Sequence, residues 1–70
     1  LASPLRDVYK RQVLTCVGEG LTNAEIAERL YLAETTVKTH IGHILSKLGL
    51  RDRVSMVITA YDAGLVRPGR

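Results

Sequence analysis

The chain has 70 residues, 46% of them apolar, and its ten lysine and arginine residues outnumber its seven acidic residues by three. A chain this short forms one small domain, which excludes a doubly wound sheet, a barrel or a two-domain enzyme. Its one cysteine cannot form an internal disulfide or a four-cysteine zinc site, and no apolar run reaches the roughly 20 residues of a membrane span. The chain has no Phe or Trp, so we expect an aliphatic core. From the single cysteine we expect a reducing, cytoplasmic location, and from the missing apolar run we expect no membrane contact.

The first predicted helix covers about Asp7 to Val17 and is the least regular of four. Its apolar residues share one stripe: Val8, Val13, Leu14 and Val17. Pro4 suits a helix entrance, and the segment Gly18–Gly20 is predicted to form the following turn. Strand and hairpin signals are weak along the whole chain, so an all-α fold is expected.

A short second helix is predicted to begin at Thr22. Thr22 and Glu25 have the spacing of a capping box, in which the hydroxyl accepts a backbone N–H and the carboxylate reaches back. Ile26, Ala27 and Leu30 then provide an inward face. The helix lasts barely two turns, so it needs neighbouring helices to be stable.

The third predicted helix has the clearest pattern. Its inward stripe holds for three turns and consists of Val37, Ile41, Ile44 and Leu48. The opposite side carries only small, polar or cationic residues: Thr35, Thr39, Gly42, His43 and Ser46. Lys38 and Lys47 lie on the flanks, and no acidic residue occurs between positions 35 and 51. Exposed helices usually mix both charges, so this segment predicts an anion-binding face, the alternative being a solvated basic surface.

The fourth predicted helix is capped by Asp52 and extends to about Ala63. One of its apolar stripes consists of Val57 and Ala60. A second stripe consists of Val54, Ile58 and Tyr61. A domain this small has one core to cover, so the second stripe predicts a partner surface. The alternative is that Val54 packs under the preceding loop.

The second and third predicted helices have the sequence shape of a helix-turn-helix. Residues 20–27 read GLTNAEIA, residues 36–40 read TVKTH, and residues 47–53 read KLGLRDR. Over about Val13 to Val66, this pattern resembles the LuxR-type (GerE-like) helix-turn-helix family. The resemblance implies a four-helix domain whose third helix enters the DNA major groove and whose fourth helix forms a dimer.

The resemblance also assigns DNA contacts to particular positions. Lys38 and Thr39 match positions that touch bases or adjacent phosphates, and Gly42 lies where relatives often have a longer polar side chain. Positions that approach the phosphate backbone are matched by Thr36, Lys47 and Arg51. The full predicted DNA-binding set is Thr35, Thr36, Lys38, Thr39, Gly42, His43, Lys47 and Arg51. The predicted dimer face is Val54, Ile58 and Tyr61.

Two places depart from the family pattern. Relatives usually begin the first helix with Leu-Thr-x-Arg-Glu-x-Glu-Val-Leu, whereas residues 6–12 here read RDVYKRQ. We therefore predict an atypical segment over residues 1–12, with a foreign origin as one hypothesis, a domain over 13–66 and a tail over 67–70. Ala33 stands where a serine often caps the third helix, which forgoes about 0.5–2 kcal/mol of capping energy.

His40 and His43 are three residues apart, but no further ligand has a suitable spacing, so no metal site is expected. His40 is predicted to be partly buried and His43 to be exposed, near phosphate. Cys16 is predicted to be a small core residue. Tyr31 is predicted to pack against the turn, with a phosphate contact through its hydroxyl as the alternative.

Arg53 has two interpretations. It pairs locally with Asp52 or Asp62, or it reaches DNA.

No catalytic triad, carboxylate pair or phosphate-binding glycine loop occurs, so neither an enzyme nor a cofactor is expected. The resemblance implies sequence-specific binding of double-stranded DNA by a homodimer, as the output domain of a bacterial transcription regulator, with RNA polymerase as a candidate partner. A receiver or small-molecule-binding domain would precede it and regulate it. The alternative function is a helical module whose third helix binds an acidic protein.

Overall fold

The computed structural model describes the backbone of residues 4–67 and the side chains of residues 9–67. This part of the chain forms four α-helices and contains no strand: α1 (Pro4–Gly18), α2 (Asn23–Leu30), α3 (Glu34–Leu48) and α4 (Arg53–Asp62). The all-α fold of four helices predicted from the sequence is confirmed. None of the helices in the described region is long and apolar enough to cross a membrane.

One aliphatic core lies where the four helices meet. Its most deeply buried side chains are Val13, Val17, Ile26, Val37 and Met56. α1 packs mainly against α4 and α3, and α2 packs mainly against α3. Since helices of 8–15 residues are marginal alone, each is stabilised by the apolar face it contributes to this core. Cys16 is buried in the same core, as predicted, whereas the contribution of Met56 was not predicted.

α1 is longer than predicted at both ends. It begins at Pro4 instead of Asp7 and continues through Gly18, which was expected to belong to the turn. The glycine at position 18 serves packing and not a turn: a Cβ atom there would lie 2.7 Å from the Cβ of Ala60, so only glycine permits this approach of α1 to α4. The turn itself is made at Gly20, whose φ is +88°. The side chain of Val8, predicted to join the α1 stripe, lies outside the described residues.

Leu48 is the exception to the predicted stripe of α3. Val37, Ile41 and Ile44 are buried as predicted, but Leu48 remains 48% exposed. It is the last residue of α3 and forms part of the wall of a groove of about 250 Å³. The groove is also lined by Lys10, Arg11, Leu14, Ile44, Lys47, Ala63 and Leu65. The prediction that Leu48 is buried is therefore wrong, because the helix ends at the margin of the core.

Candidate nucleic-acid interface

α2 begins with the capping box that its sequence predicts. The Glu25 backbone N–H donates to Thr22 Oγ1 at 3.1 Å, and the Thr22 backbone N–H donates to Glu25 Oε1 at 2.8 Å. These bonds satisfy two N–H groups that the first turn of a helix otherwise leaves without partners. The start of α2 is thereby fixed relative to the turn that precedes it.

A tight turn joins α2 to α3. Tyr31 adopts the left-handed conformation, with φ 57° and ψ 45°, and its backbone N–H and that of Leu32 both donate to the Ala27 carbonyl. The Tyr31 side chain is 94% exposed, so the prediction that it packs against the turn is wrong. The left-handed backbone at the end of α2 directs it into solvent. Its alternative role as a phosphate contact stays a prediction.

α3 starts without a side-chain cap. Ala33 occupies the N-cap position and makes no capping hydrogen bond, as its sequence implied. The negative charge of Glu34, in the first turn, interacts favourably with the positive end of the helix dipole. The helix ends at Gly49, whose φ of 68° is the left-handed conformation that glycine adopts without strain.

The inward stripe of α3 turns the opposite face of the helix towards solvent. The exposed residues of that face and its flanks are Thr35, Lys38, Thr39, Gly42, His43, Ser46 and Lys47. Thr36 is half-buried, so it is the least accessible member of the predicted set on α3. Thr39 Oγ1 donates to the Thr35 carbonyl at 3.1 Å, which leaves its methyl group and oxygen lone pairs on the surface.

Lys38, Lys47 and Arg51 are exposed, and none has a salt-bridge partner among the described residues. An ion pair does join Arg29 to Glu19 at 3.2 Å, but it lies away from α3: Arg29 is in α2, and Glu19 is in the turn that precedes α2. Three unpaired cations on or beside one acid-free helix are suited to neutralise phosphate charge. All eight predicted DNA-binding residues lie on α3 or in the loop that follows it.

Gly42 leaves open space in the middle of the α3 face. A Cβ atom at this position would meet no atom within 4 Å. The glycine is therefore not required by packing within the domain. Its effect is to remove one side chain from the surface that α3 presents.

The amino-acid sequence matches a known protein family over most of its length. The family model described as "Bacterial regulatory proteins, luxR family" matches residues 10–60. The chain belongs to the LuxR family of bacterial regulatory proteins. This family consists of transcription regulators that bind DNA and is not a family of enzymes, so the resemblance found in the sequence is confirmed.

Individual LuxR-family relatives are similar over nearly the whole chain. The transcriptional regulatory protein LnrK of Bacillus subtilis is 46% identical over 63 residues, which cover 87% of this chain and 29% of the relative. LiaR of the same organism is 43% identical over 67 residues, which cover 93% of this chain and 32% of LiaR. The DNA-binding transcriptional activator DevR/DosR of Mycobacterium tuberculosis is 41% identical over 59 residues, which cover 84% of this chain and 27% of DevR/DosR. The chain thus spans about a third or less of these relatives.

Arg53 does not form the local ion pair that was one of its two predicted roles. Its Nη1 donates to Asn23 Oδ1 at 2.7 Å and its Nη2 donates to the Leu21 carbonyl at 2.7 Å, and the side chain is half-buried. The predicted local pairing with Asp52 or Asp62 is therefore wrong, and contact of Arg53 with DNA stays a prediction. Sequence reasoning missed these bonds because their partners lie 30 and 32 residues away in the chain. Asp52 instead caps α4 by accepting from the Ser55 backbone N–H at 2.9 Å.

His40 lies behind the exposed face of α3, where its ring stacks on Tyr9 of α1 with centroids 6.0 Å apart and planes 11° apart. It is half-buried, as predicted, whereas His43 is exposed. No group of three His, Cys, Asp or Glu side chains able to hold a metal ion occurs in the region whose side chains are described. Cys16 is buried, and this burial raises the pKa of its thiol, as is typical of a cysteine in a core.

The second apolar stripe of α4 is exposed. The exposed fractions are 66% for Val54, 57% for Ile58 and 39% for Tyr61. These residues are spaced four and three apart, so they follow one side of the helix, while Met56 and Ala60 are buried. The alternative that Val54 packs under the preceding loop is wrong, since two thirds of its surface is accessible.

Proposed function

We propose that the domain binds double-stranded DNA in a sequence-specific manner by inserting α3 into the major groove. The observation that carries this proposal is the exposed, acid-free face of α3, flanked by cations that have no acidic partner. A helix with its side chains is about 10–12 Å wide, which matches the roughly 12 Å width of the major groove. The membership of the LuxR family supports the same conclusion.

Individual roles follow from chemistry and position. Lys38 reaches the acceptor atoms of guanine, and Thr39 offers its methyl group to thymine or its oxygen to a base donor. Thr35 and His43, exposed on the same helix, lie where bases or the adjacent backbone are within reach. The proposed phosphate contacts are Thr36, Lys47 and Arg51. Gly42 makes room for the DNA surface without contributing a contact.

We propose that the domain binds as a homodimer through α4. Val54, Ile58 and Tyr61 form an exposed apolar stripe that a second copy of the same helix would cover. A two-fold dimer would place two recognition helices on half-sites about 34–36 Å apart, one turn of B-DNA. Dimerisation thereby doubles the number of DNA contacts without enlarging the domain.

The relatives that match this chain are about three times as long or longer, which supports a role as the output domain of a larger transcription regulator. Its regulation by a phosphorylated receiver or a ligand-binding domain, and a contact with RNA polymerase, belong to the same proposal. The expected location is the cytoplasm, where bacterial DNA lies. No residue of the site calls for a cofactor.

The test uses a duplex obtained by in vitro selection and a scrambled duplex of the same length. Lys38→Ala should lose most of the preference for the selected duplex, whereas Lys47→Ala should weaken both duplexes equally, because phosphate contacts carry no sequence information. Arg67→Ala, which removes an exposed cation outside the interface, is the matched control. Fluorescence anisotropy between about 50 and 300 mM salt measures both affinities.

Two results would contradict the proposal. Unchanged discrimination in Lys38→Ala would remove α3 from base recognition. A salt dependence indistinguishable from zero would exclude phosphate neutralisation and favour the alternative, a module that binds an acidic protein.

A further inference from the structure

α4 is held against the rest of the domain at two separate places. Towards its C-terminal end, the buried Ala60 packs against Gly18 of α1 in a contact too close for any other residue at position 18. At its first residue, Arg53 reaches across to the segment that opens α2. Between these places the Met56 side chain is buried in the core, and α4 packs mainly on α1.

The Arg53 anchor consists of two short hydrogen bonds from one planar group. Nη1 donates to Asn23 Oδ1 and Nη2 to the Leu21 carbonyl, both at 2.7 Å, so the guanidinium is fixed in distance and in orientation. Among the described residues, Arg53 is the one side chain of α4 that is hydrogen-bonded to α2 or to the turn before it. The bonded segment lies beside the capping box that fixes the start of α2.

We propose that Arg53 is a positioning residue that sets the angle between α4 and the helix-turn-helix, and thereby the half-site spacing that the dimer accepts. The inference rests on the proposed function, namely dimeric DNA binding through α4. Arg53 and Ala60 are seven residues apart, which corresponds to about 10 Å along the helix axis. In addition to the buried Met56 and Ala60, the Arg53 hydrogen bonds tie the first turn of α4 to the start of α2, which the packing on α1 does not do.

Because Arg53 adjoins the proposed dimer stripe, its hydrogen bonds also fix the orientation of that stripe. Val54, the first residue of the proposed dimer stripe, follows it directly in the chain. Any rotation of the first turn of α4 would move Val54 and, through the partner, the distance between the two α3 helices. Without the anchor, the dimer should accept half-sites at several spacings with similar affinity.

The experiment compares the wild-type domain with Arg53→Met and Arg53→Lys on duplexes that carry two selected half-sites at the best spacing or displaced by one or two base pairs. A duplex with a single half-site measures binding without the spacing requirement. We expect the wild type to prefer its best spacing by at least about tenfold and Arg53→Met by less than about threefold, with equal affinity for the single half-site. Asn23→Ala, which removes one of the two acceptors, should be intermediate.

Val13→Ala is the control for a purely structural role, because it destabilises the core without touching the anchor. After correction for the unfolded fraction measured by urea titration, it should retain the wild-type spacing preference. The inference is overturned if Arg53→Met and Asn23→Ala keep that preference, or if they weaken every duplex by one common factor. It is also overturned if the wild type binds DNA with no preferred spacing, whereas failure of the wild type to bind any duplex would contradict the proposed function itself. If Arg53→Met does not fold, Arg53→Lys and Asn23→Ala decide by the same criteria.

Discussion

The salt dependence of DNA binding gives the most quantitative test of the interface, with Lys47→Ala as the perturbation. Each protomer exposes three cations assigned to the interface: Lys38, Lys47 and Arg51. Two of these, Lys47 and Arg51, are the proposed cationic phosphate contacts, so a dimer makes about four, for which the slope of log K against log salt is about −3.6. Removing Lys47 from both protomers leaves about two contacts and a slope of about −1.8.

These slopes correspond to large differences in affinity. Between 50 and 200 mM salt, the wild-type affinity should fall about 150-fold, whereas that of Lys47→Ala should fall about 12-fold. The variant therefore binds more weakly at low salt but approaches the wild type as the salt concentration rises. Fluorescence anisotropy with the selected duplex at five or so salt concentrations in this range measures both slopes.

Arg67→Ala provides the control, since it also removes one exposed positive charge per protomer but lies outside the proposed interface. Its slope should equal that of the wild type. The reasoning is refuted if Lys47→Ala and Arg67→Ala reduce the slope by the same amount, because binding would then depend on net charge and not on the position of the cations. A Lys47→Ala slope equal to that of the wild type would remove Lys47 from the phosphate contacts.

Further predictions concern stability, measured by urea unfolding. Gly18→Ala should lower the free energy of unfolding by about 1–3 kcal/mol, since its methyl group would overlap Ala60; an unchanged midpoint would refute the close contact. Tyr31→Gly should raise this free energy by about 0.5–1 kcal/mol by relieving the left-handed backbone, and a loss of stability would show that the exposed ring makes a contact. Ala33→Ser should raise it by about 0.5–2 kcal/mol by capping α3, with Ala33→Val as the control that adds no cap. Hydrogen bonds from Ser55, mainly from its backbone N–H and also from its hydroxyl, lower the pKa of Asp52. The stability that these bonds give to the ionised carboxylate is present above the usual pKa of an Asp carboxyl and is lost as the pH falls through the lowered pKa. Asp52→Asn should therefore lose less stability on acidification than the wild type, and equal losses would contradict this role.

The parts of the fold that could be predicted from the sequence depend on residues close together in the chain. Thr22 and Glu25 determine the start of α2 within a single turn, and Asp52 does the same for α4. The stripe of α3 is a local periodicity, so it indicated both the buried face and the exposed one. The residues of the candidate site follow from that periodicity together with the family resemblance.

The parts that could not be predicted depend on residues far apart in the chain. Position 18 requires glycine because Ala60 approaches it, and nothing near position 18 in the sequence signals that contact. Arg53 has Asp52 directly beside it in the sequence and Asp62 at the other end of the same helix, yet it donates to Asn23 and the Leu21 carbonyl, because the fold brings the start of α2 to the start of α4. In both cases a local interpretation was overridden by tertiary packing.

The composition of the α3 face also bears on how the domain could achieve specificity. Gly42 contributes no side chain, and the Thr39 hydroxyl hydrogen is used within the helix, so Lys38 is the main long-reaching donor to base edges. One good base contact gives about 1–3 kcal/mol of discrimination, whereas specific DNA binding commonly exceeds non-specific binding by about 4–10 kcal/mol. A single α3 helix with so few readers falls short of that range. Two helices held at a fixed separation approach it, because only a site with both halves in register satisfies them together. Because α3 has so few side chains that can read bases, specificity depends on how rigidly α4 is held. Within the described structure, α4 is held by the contact with Gly18, by the buried Met56 and by the Arg53 hydrogen bonds.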